Sequence, residues 1–382
     1  MEHALIVCSG IGINGKDLSD FQNTVIAEVS QLKRLIINSQ RAGVKHFHIL
    51  SDNPSSPSNK SIEKDKRITS TIEWLKIGQL PQINSKKVLV LESNIIITSG
   101  SLLKFFSEIK NEIDKTFILT DDSPDYLVSF DKERGNVTSH FNIGGQAVGV
   151  FVTDISEVPE IIKYLKLNQW LDNQIDNGNV RAFNIKDGYW HRLSNNEESV
   201  KEAEKLIFSH VGKTATGWIA RNINGRMSLP LSKNLIKTPL TPNMVSILIN
   251  IIGVLCGPFY ALGYPLIGAL CMQAATVLDR CDGEVARIKL METKNGQWVD
   301  TISDQFTVLS FLIGVPLGYY FQSKSIIPLI FGSYNIAVFI FFLIWSFYFL
   351  LKYTNSGSLV AYFDIDKHVD KNELTFMRKI LA

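Results

Sequence analysis

Residues 279–304 read Asp279-Arg-Cys-Asp282-Gly283-Glu-Val-Ala286-Arg287, then eight further residues, then Gly296-Gln-Trp-Val-Asp300-Thr-Ile-Ser-Asp304. This window holds ten of the 12 charged side chains between Thr238 and Tyr353, and all six carboxylates of that region. The flanking sequence is uncharged for 41 residues before it, and a later run of 27 residues is also uncharged. Because a membrane helix needs about 20 apolar residues, the sequence predicts a membrane domain that encloses a charged site.

The rest of the chain differs sharply from this half. The 382 residues carry a net charge of +2, but residues 1–237 hold 29 basic and 27 acidic side chains, and residues 238–382 hold 10 of each. A globular domain and a membrane domain are therefore predicted in one chain. The near-neutral charge argues against nucleic acid as a partner. The four cysteines show no paired spacing, which argues against a disulfide framework or a zinc site.

Four membrane spans are predicted from the uncharged runs. Basic residues cluster before the first span, between the second and third, and after the fourth, whereas the opposite connections hold only Lys324. The positive-inside rule then places the N-terminal domain in the cytoplasm of a multi-pass cell-membrane protein. The predicted spans are about Asn243–Leu262, Pro265–Lys289, Gly296–Gln322 and Ser325–Leu351.

Helical spacing gathers the aspartates on two faces. Asp279 and Asp282 lie at i and i+3 on the second span, and Asp300 and Asp304 lie four residues apart on the third. If these spans pack through those faces, four carboxylates converge, and carboxylates at membrane depth indicate a functional site. Without His or Cys nearby, such a cluster suits Mg²⁺ or Mn²⁺ and accompanies phosphate chemistry. Snorkelling interfacial acids are the alternative.

The fixed positions of the window match the pattern DxxDGxxAR(x8)GxxxDxxxD, and the sequence thereby resembles the CDP-alcohol phosphotransferase (CDP-alcohol phosphatidyltransferase) superfamily. The resemblance implies that a hydroxyl of an acceptor alcohol attacks the β-phosphorus of a CDP-alcohol donor and releases CMP. It also implies membrane lipids as surroundings, a homodimer and a pair of Mg²⁺ or Mn²⁺ ions.

The same resemblance assigns roles by position. Three aspartates correspond to metal ligands, and Asp304 corresponds to a shared metal ligand and to the general base for the acceptor hydroxyl. Small residues correspond to positions that leave room for the nucleotide, and an arginine stands near phosphate, although an arginine at a cytoplasmic helix end can also be only a topology signal. The metal set is Asp279, Asp282, Asp300 and Asp304, and the nucleotide set is Gly283, Ala286, Arg287 and Gly296.

Four other charges of the window are predicted to be solvated. They are Glu284, Lys289, Glu292 and Lys294.

The N-terminal half alternates short apolar runs with helical patterns, which predicts an α/β domain of Rossmann-like form around a largely parallel sheet. Ser51–Lys66 reads as a polar loop. The predicted strands are Ala4–Cys8, Lys45–Leu50, Lys87–Leu91, Thr116–Thr120 and Ala147–Val152, and the predicted helices are Thr24–Arg41, Leu102–Asn111 and Ser199–Ser209.

This layout resembles a nucleotidyltransferase of the cytidylyltransferase type, but with departures at its site. Residues 8–14 stand where such enzymes have a Gly-rich phosphate loop that ends in Arg, and Asn14 occupies the Arg position. Asn94 stands where a metal-binding Asp is expected, and residues 190–194 lack an expected acidic pair. These departures favour a degenerate domain that no longer transfers nucleotides.

The domain boundaries follow from these patterns. We expect a nucleotidyltransferase-like domain at residues 1–212, an amphipathic juxtamembrane connector at 213–240, the phosphotransferase membrane domain at 241–353 and a cytoplasmic tail at 354–382. The family resemblance implies six spans, so the chain either stops before two further spans or lacks them.

Three functions stay open on the sequence. The first is a membrane transferase that acts in phospholipid or polyol-phosphodiester synthesis. The second is a bifunctional cytidylyltransferase and phosphotransferase of the inositol-phosphate type. The third is a non-catalytic membrane scaffold.

Overall fold

The computed structural model describes residues 1–19, 21–109, 115–121, 129–130, 137–138, 146–185, 189–213, 224–354 and 356–359. The chain divides into two compact units, Met1–His210 and Val211–Ala382. Residues 360–382 of the predicted tail and residues 214–223 of the predicted connector lie outside the described residues.

A seven-stranded sheet forms the centre of the first unit, with strand order β12-β8-β11-β6-β1-β4-β5. The β1 strand pairs in parallel with β4 and β6, and only β11 runs antiparallel to its neighbours. The strands of the unit are β1 His3–Val7, β2 Val25–Ile26, β3 Val29–Ser30, β4 His46–Leu50, β5 Thr71–Leu75, β6 Lys87–Glu92, β7 Ile95–Ile97, β8 Thr116–Asp121, β9 Ser129–Phe130, β10 Val137–Thr138, β11 Gln146–Asp154, β12 Val180–Asn184 and β13 Trp190–Arg192.

Helices cover both faces of this sheet, because its central strands are apolar on both sides. On β1, Ala4 and Ile6 pack into the core that contains α1 and α3, whereas Leu5 and Val7 pack into the core that contains α4 and α5. The predicted α/β fold with a largely parallel sheet is confirmed. The helices are α1 Gln31–Arg41, α2 Pro57–Glu63, α3 Ser99–Ile109, α4 Val158–Tyr164, α5 Leu167–Asp176 and α6 Glu197–Lys213.

Two local predictions were wrong. The predicted helix Thr24–Arg41 begins only at Gln31, because residues 25–30 form the β2–β3 hairpin, whose turn holds Ala27 and Glu28 at positive φ. The predicted polar loop contains α2, which begins after Ser56, a side-chain N-cap that accepts from Asn59 N–H.

The described part of the second unit consists of helices. They are α7 Gly225–Leu235, α8 Pro242–Val254, α9 Cys256–Ala261, α10 Pro265–Leu278, α11 Arg280–Ile288, α12 Lys294–Ser323 and α13 Ile327–Tyr353.

Among the described residues, three helical stretches are long and apolar enough to cross a membrane: Pro242–Ala261, Lys294–Ser323 and Ile327–Tyr353. The sequence predicted four. The predicted second span is divided at Asp279 into α10, of 14 residues, and α11, of nine. Asp279 itself keeps right-handed helical dihedral angles, so the chain continues in the same sense through the division. Asp279, which lies at this division, and Asp282, on α11, belong to the predicted metal set.

The helix α7 is amphipathic, with small polar side chains facing the protein and apolar side chains facing outward. Its small polar side chains Ser228 and Ser232 are fully buried against the protein, whereas Met227 and Leu231 are 56% and 43% exposed. An apolar outer face suits a helix that lies on a membrane surface, which stays a prediction.

Candidate metal and phosphate site

Four aspartates lie together in the helical unit: Asp279 at the division between α10 and α11, Asp282 on α11, and Asp300 and Asp304 on α12. Carboxylate oxygens of Asp279, Asp300 and Asp304 all lie within 4.8 Å of one another. Asp282 stands outside this group of three and contacts Asp300, and Asp279 contacts Asp304. The convergence follows from the i, i+3 and i, i+4 spacing, which brings the carboxylates to facing sides of their helices.

This arrangement fits a divalent cation. Ionised carboxylates in contact repel one another, so the cluster needs a cation or a shared proton to exist. One oxygen of Asp300, Oδ1, is buried and has no hydrogen-bond partner among the described residues. An all-oxygen donor set with such an unused acceptor is the chemistry that Mg²⁺ and Mn²⁺ prefer. The aspartates therefore could hold a metal ion.

Polar side chains on α8 hold two of the aspartates. Ser246 Oγ donates a short hydrogen bond to Asp282 Oδ2. One turn further along α8, Asn250 donates to Ser303 Oγ at 2.9 Å and accepts from Thr307 Oγ1 at 3.1 Å, and it contacts the Asp304 carboxylate. Sequence reasoning missed this support, although two polar residues four apart in an uncharged helix are a signal for it.

A cavity of about 190 Å³ opens beside two of the aspartates. Its wall includes all four residues of the predicted nucleotide set, together with Asp282 and Asp300, while Asp279 and Asp304 are not part of that wall. The full lining is Pro242, Asn243, Ser246, Asp282, Gly283, Ala286, Arg287, Met291, Glu292, Thr293, Gly296, Gln297, Asp300 and Ser358.

The cavity wall contains a cationic side chain, Arg287, and glycine positions where a ligand can approach the backbone. Arg287 Nε is buried and has no hydrogen-bond partner among the described residues, which leaves one guanidinium donor for a ligand. A Cβ atom at Gly296 would lie 3.0 Å from Thr293 Oγ1 and 3.2 Å from Asn243 Oδ1, so a side chain there would crowd the wall. A phosphate beside Arg287 and a metal on the aspartates could thus share one ligand.

Two charges of the window are structural, which corrects the expectation that they are solvated. Glu284 is fully buried, accepts from Ser228 Oγ at 2.8 Å and Ser232 Oγ at 2.7 Å, and pairs with Arg280 at 3.2 Å. Lys289 Nζ donates to the Thr238 carbonyl at 2.8 Å. The first set of contacts joins α11 to α7. Of the four charges that were expected to be solvated, Glu292 and Lys294 are exposed.

In the N-terminal unit, the Gly-rich segment follows β1 as expected. Asn14 Oδ1 accepts from the Lys16 N–H within the loop at 3.2 Å. Asn94 is fully buried, and neither polar atom of its side chain has a hydrogen-bond partner. No metal-binding cluster was found among the described residues of this unit.

Comparison with known proteins adds three findings. The family model for CDP-alcohol phosphatidyltransferase matches residues 239–361. A protein of Thermococcus kodakarensis named "Bifunctional IPC transferase and DIPP synthase" is 28% identical over 197 residues, which are 49% of this chain and 45% of that protein. A protein of Aquifex aeolicus with the same name is 26% identical over 191 residues, 50% of this chain and 44% of its own length. The matches thus span less than half of these relatives.

Solved structures resemble about half of the chain. The inositol-1-phosphate CTP transferase from T. maritima is 16% identical, with a TM-score of 0.42, and the match covers 54% of this chain and 96% of that one. HddC from Yersinia pseudotuberculosis is also 16% identical, with a TM-score of 0.43 and coverage of 54% and 99%.

The aspartates, the cavity and the family match all fall in one stretch of the helical unit. The family model for CDP-alcohol phosphatidyltransferase therefore matches the part of the chain that contains the aspartates and the cavity.

Proposed function

We propose that this protein is a membrane transferase that moves a substituted phosphate group from a CDP-alcohol to the hydroxyl of an acceptor alcohol and releases CMP. The observation that carries the proposal is the convergence of four aspartates beside a cavity walled by Gly283, Ala286, Arg287 and Gly296. The family match over residues 239–361 supports the reaction class.

The residues have distinct tasks in this reaction. Asp279, Asp282 and Asp300 would hold Mg²⁺ or Mn²⁺, with Asp304 as a further ligand. Such an ion would supply positive charge that polarises the phosphoryl oxygens and neutralises charge that develops on them. Binding the donor beside Arg287 aligns its diphosphate with the cluster.

Asp304 is the general base. The acceptor hydroxyl transfers its proton to the Asp304 carboxylate while its oxygen forms a bond to the β-phosphorus, and the bond between that phosphorus and the CMP oxygen breaks. Asn250 steadies Asp304 from α8, so this carboxylate is held by a neutral amide in addition to any metal. A base that is not wholly engaged by metal retains the capacity to accept the proton.

The direct experiment follows CMP release. The full chain in lipid nanodiscs is given CDP-diacylglycerol or a soluble CDP-polyol, with Mg²⁺ or Mn²⁺ and a panel of acceptors that includes inositol phosphate and glycerol phosphate. We expect release from one donor class and its loss in Asp304→Asn. The exposed Asp52→Asn serves as the matched control, and unaltered release in Asp304→Asn would refute the assignment.

The same nanodisc preparation tests whether the protein is a non-catalytic scaffold. Binding of Mn²⁺ without CMP release from any donor would favour a non-catalytic membrane protein. The homodimer and the cytoplasmic position of the N-terminal unit stay predictions, and the mass of the particle and protease access in sealed vesicles test them.

A second candidate function is a bifunctional protein whose N-terminal unit forms the CDP-alcohol. The names of the relatives from Thermococcus kodakarensis and Aquifex aeolicus, which join two activities, favour this function over a transferase alone. Two residues count against it, because uncharged side chains stand where the resemblance expects an arginine and a metal-binding aspartate: Asn14 and Asn94. The test is pyrophosphate release from CTP with phosphorylated alcohols such as inositol phosphate, and its absence across the panel would exclude the second activity.

A further inference from the structure

The end of β6 carries a carboxylate that the transferase site does not use. Glu92 is fully buried in the first unit, where β1 and β6 run parallel and finish at the same edge of the sheet. In open α/β sheets this edge, outside the carboxyl ends of the strands, is where ligands bind. A carboxylate in such a place is expensive to bury unless donors compensate it.

One hydrogen-bond donor and one cation compensate Glu92. Its Oε1 accepts a short hydrogen bond from Ile13 N–H, in the Gly-rich loop that follows β1. Its Oε2 lies 3.4 Å from Arg192 Nη1, and the Arg192 side chain is only 9% exposed. A backbone N–H from a Gly-rich loop and a buried guanidinium are the parts of a receptor for an anion such as phosphate.

The receptor is shaped closely around the carboxylate. A Cβ atom at Gly12 would lie 2.8 Å from Glu92 Oε1, and one at Gly149 would lie 3.0 Å from Glu92 Cδ. Both positions therefore need glycine while Glu92 is in place. Other loop donors are already engaged, since Ile11 N–H bonds to the Leu165 carbonyl and Gly12 N–H bonds to the Lys16 carbonyl.

The guanidinium is nevertheless under-used. Arg192 Nη2 donates to the Ala147 carbonyl at 2.7 Å. Among the described residues, Arg192 Nε and Nη1 and Glu92 Oε2 have no hydrogen-bond partner, because Nη1 and Oε2 meet only as an ion pair. Burial raises the pKa of the Glu92 carboxyl, while Arg192 and the Ile13 N–H act against that rise. The buried Arg192 guanidinium therefore has unused N–H donors. An anion with more oxygens than a carboxylate, such as phosphate, would satisfy these donors better.

We propose that Glu92 is the built-in occupant of an anion site in the N-terminal unit, and that its carboxylate excludes a phosphate group from the Gly10–Asn14 loop. The ligand class is a phosphate monoester or a nucleoside triphosphate. Neutralising Glu92 leaves the Arg192 cation and the Ile13 N–H without their internal anion and opens the site. This proposal does not depend on the transferase reaction.

The test compares phosphate binding by the full chain and by Glu92→Gln. Inorganic phosphate and, separately, CTP are titrated, and hydrogen exchange is followed in the peptide that covers Gly10–Leu18. We expect an affinity gain of at least about 10-fold in Glu92→Gln, with slowed exchange at this loop, and loss of the gain in the double variant Glu92→Gln, Arg192→Gln. A gain for CTP but not for phosphate identifies a nucleotide as the better ligand.

The controls separate this site from the helical half. The exposed Glu160→Gln removes a carboxylate elsewhere in the unit and should bind as the unaltered chain does. Because the helical unit is identical in all variants, its own ligands cannot produce a difference between them. Equal affinity in Glu92→Gln and the unaltered chain, or phosphate protection of the loop in the unaltered chain, would overturn the proposal.

A second variant keeps the result decisive if Glu92→Gln does not fold. Glu92→Asp keeps the charge but withdraws it by one methylene from Ile13. We expect Glu92→Asp to bind phosphate more tightly than the unaltered chain, because the Ile13 N–H is freed, and binding no better than that of the unaltered chain would count against the occupant role. Protection of the β1 and β6 amides reports whether each variant is folded.

Discussion

The two halves of this protein treat inward-facing carboxylates in opposite ways. In the helical unit, the half-buried Asp279, Asp300 and Asp304 bring like charges within 4.8 Å of one another. In the N-terminal unit, the fully buried Glu92 faces Arg192 and the Ile13 N–H, so its charge is answered from inside the fold. The first arrangement needs a cation or a shared proton, whereas the second, as proposed above, excludes an anion.

The comparison gives a criterion that separates a site open to a ligand from a site that the protein compensates internally. Glu92 is fully buried and the three aspartates are half-buried, but the degree of burial is not the decisive difference. What differs is whether the protein itself supplies the compensating charge. Neutral side chains such as Ser246 and Asn250 fix the aspartates without cancelling their charge, which leaves the cluster ready for a cation.

The largest expected effect comes from breaking the acidic cluster. Asp300→Asn removes a charged ligand, and we expect CMP release to fall by about 10²–10³-fold or more. In EDTA the same substitution should raise the melting temperature, because one source of like-charge repulsion is gone. CMP assays and thermal unfolding in EDTA measure the two effects.

The same neutralisation in the other half should have the opposite sign. Glu92→Gln leaves Arg192 without its counter-ion, so the N-terminal unit should lose stability, and added phosphate should restore it. A drop in melting temperature for Asp300→Asn in EDTA, with Asp52→Asn unchanged, would break the distinction between the two sites.

A smaller effect tests the neutral support of the aspartates. Ser246→Ala removes the hydroxyl that holds Asp282, and we expect about a tenfold weaker Mn²⁺ affinity, a cost of about 1.4 kcal/mol. Mn²⁺ binding is measured by electron paramagnetic resonance on the nucleotide-free chain, together with the Mg²⁺ dependence of CMP release.

Ser246→Thr keeps the hydroxyl and should retain the affinity. Loss of affinity in both variants would mean that Ser246 matters for packing alone. Full affinity in Ser246→Ala would show that Asp282 needs no help from α8.

The smallest effect is a pH dependence confined to the N-terminal unit. His3 Nδ1 and His48 Nε2 form a hydrogen bond of 3.2 Å, and His48 Nδ1 pairs with the Glu73 carboxylate at 2.7 Å. Burial lowers the pKa of His48 and of His3. Since the unfolded chain then binds more protons, the stability that these groups support is complete above about pH 6.5 and is lost as the pH falls below it.

Hydrogen exchange of the β1 and β4 amides between pH 7.5 and 5.5, corrected for intrinsic rates, measures this loss. We expect less than about 1.4 kcal/mol per pH unit for each proton taken up. His48→Gln should flatten the dependence. Protection that stays constant down to pH 5.5 in the unaltered chain would contradict it.

Local patterns predicted much of the architecture. Five apolar runs in the N-terminal half were predicted as strands, and all five are strands of the seven-stranded sheet, while β5 and β12 of that sheet and the six described strands outside it were missed. The β5 strand lies at the edge of the sheet, and four of its five residues are not buried, so no clear apolar signal marks it. The hairpin at residues 25–30 was read as helix because its turn residues Ala27 and Glu28 are ordinary helix formers.

The sequence by itself determined which side chains could form the metal and phosphate site. Helical periodicity is local, so the spacing within residues 279–304 was enough to bring four aspartates onto facing sides of their helices. The uncharged runs likewise determined a helical half with membrane character.

Only the tertiary structure decided which charges are compensated. Glu284 meets Ser228 and Ser232 from a helix more than 50 residues earlier, and Glu92 meets a loop 79 residues away from it in the chain. Contacts between such distant segments depend on how whole helices and strands pack, and no spacing in the sequence encodes them. The physical reason is that a charge is stabilised by whatever lies beside it in space, whereas periodicity reports only on neighbours along one helix or strand.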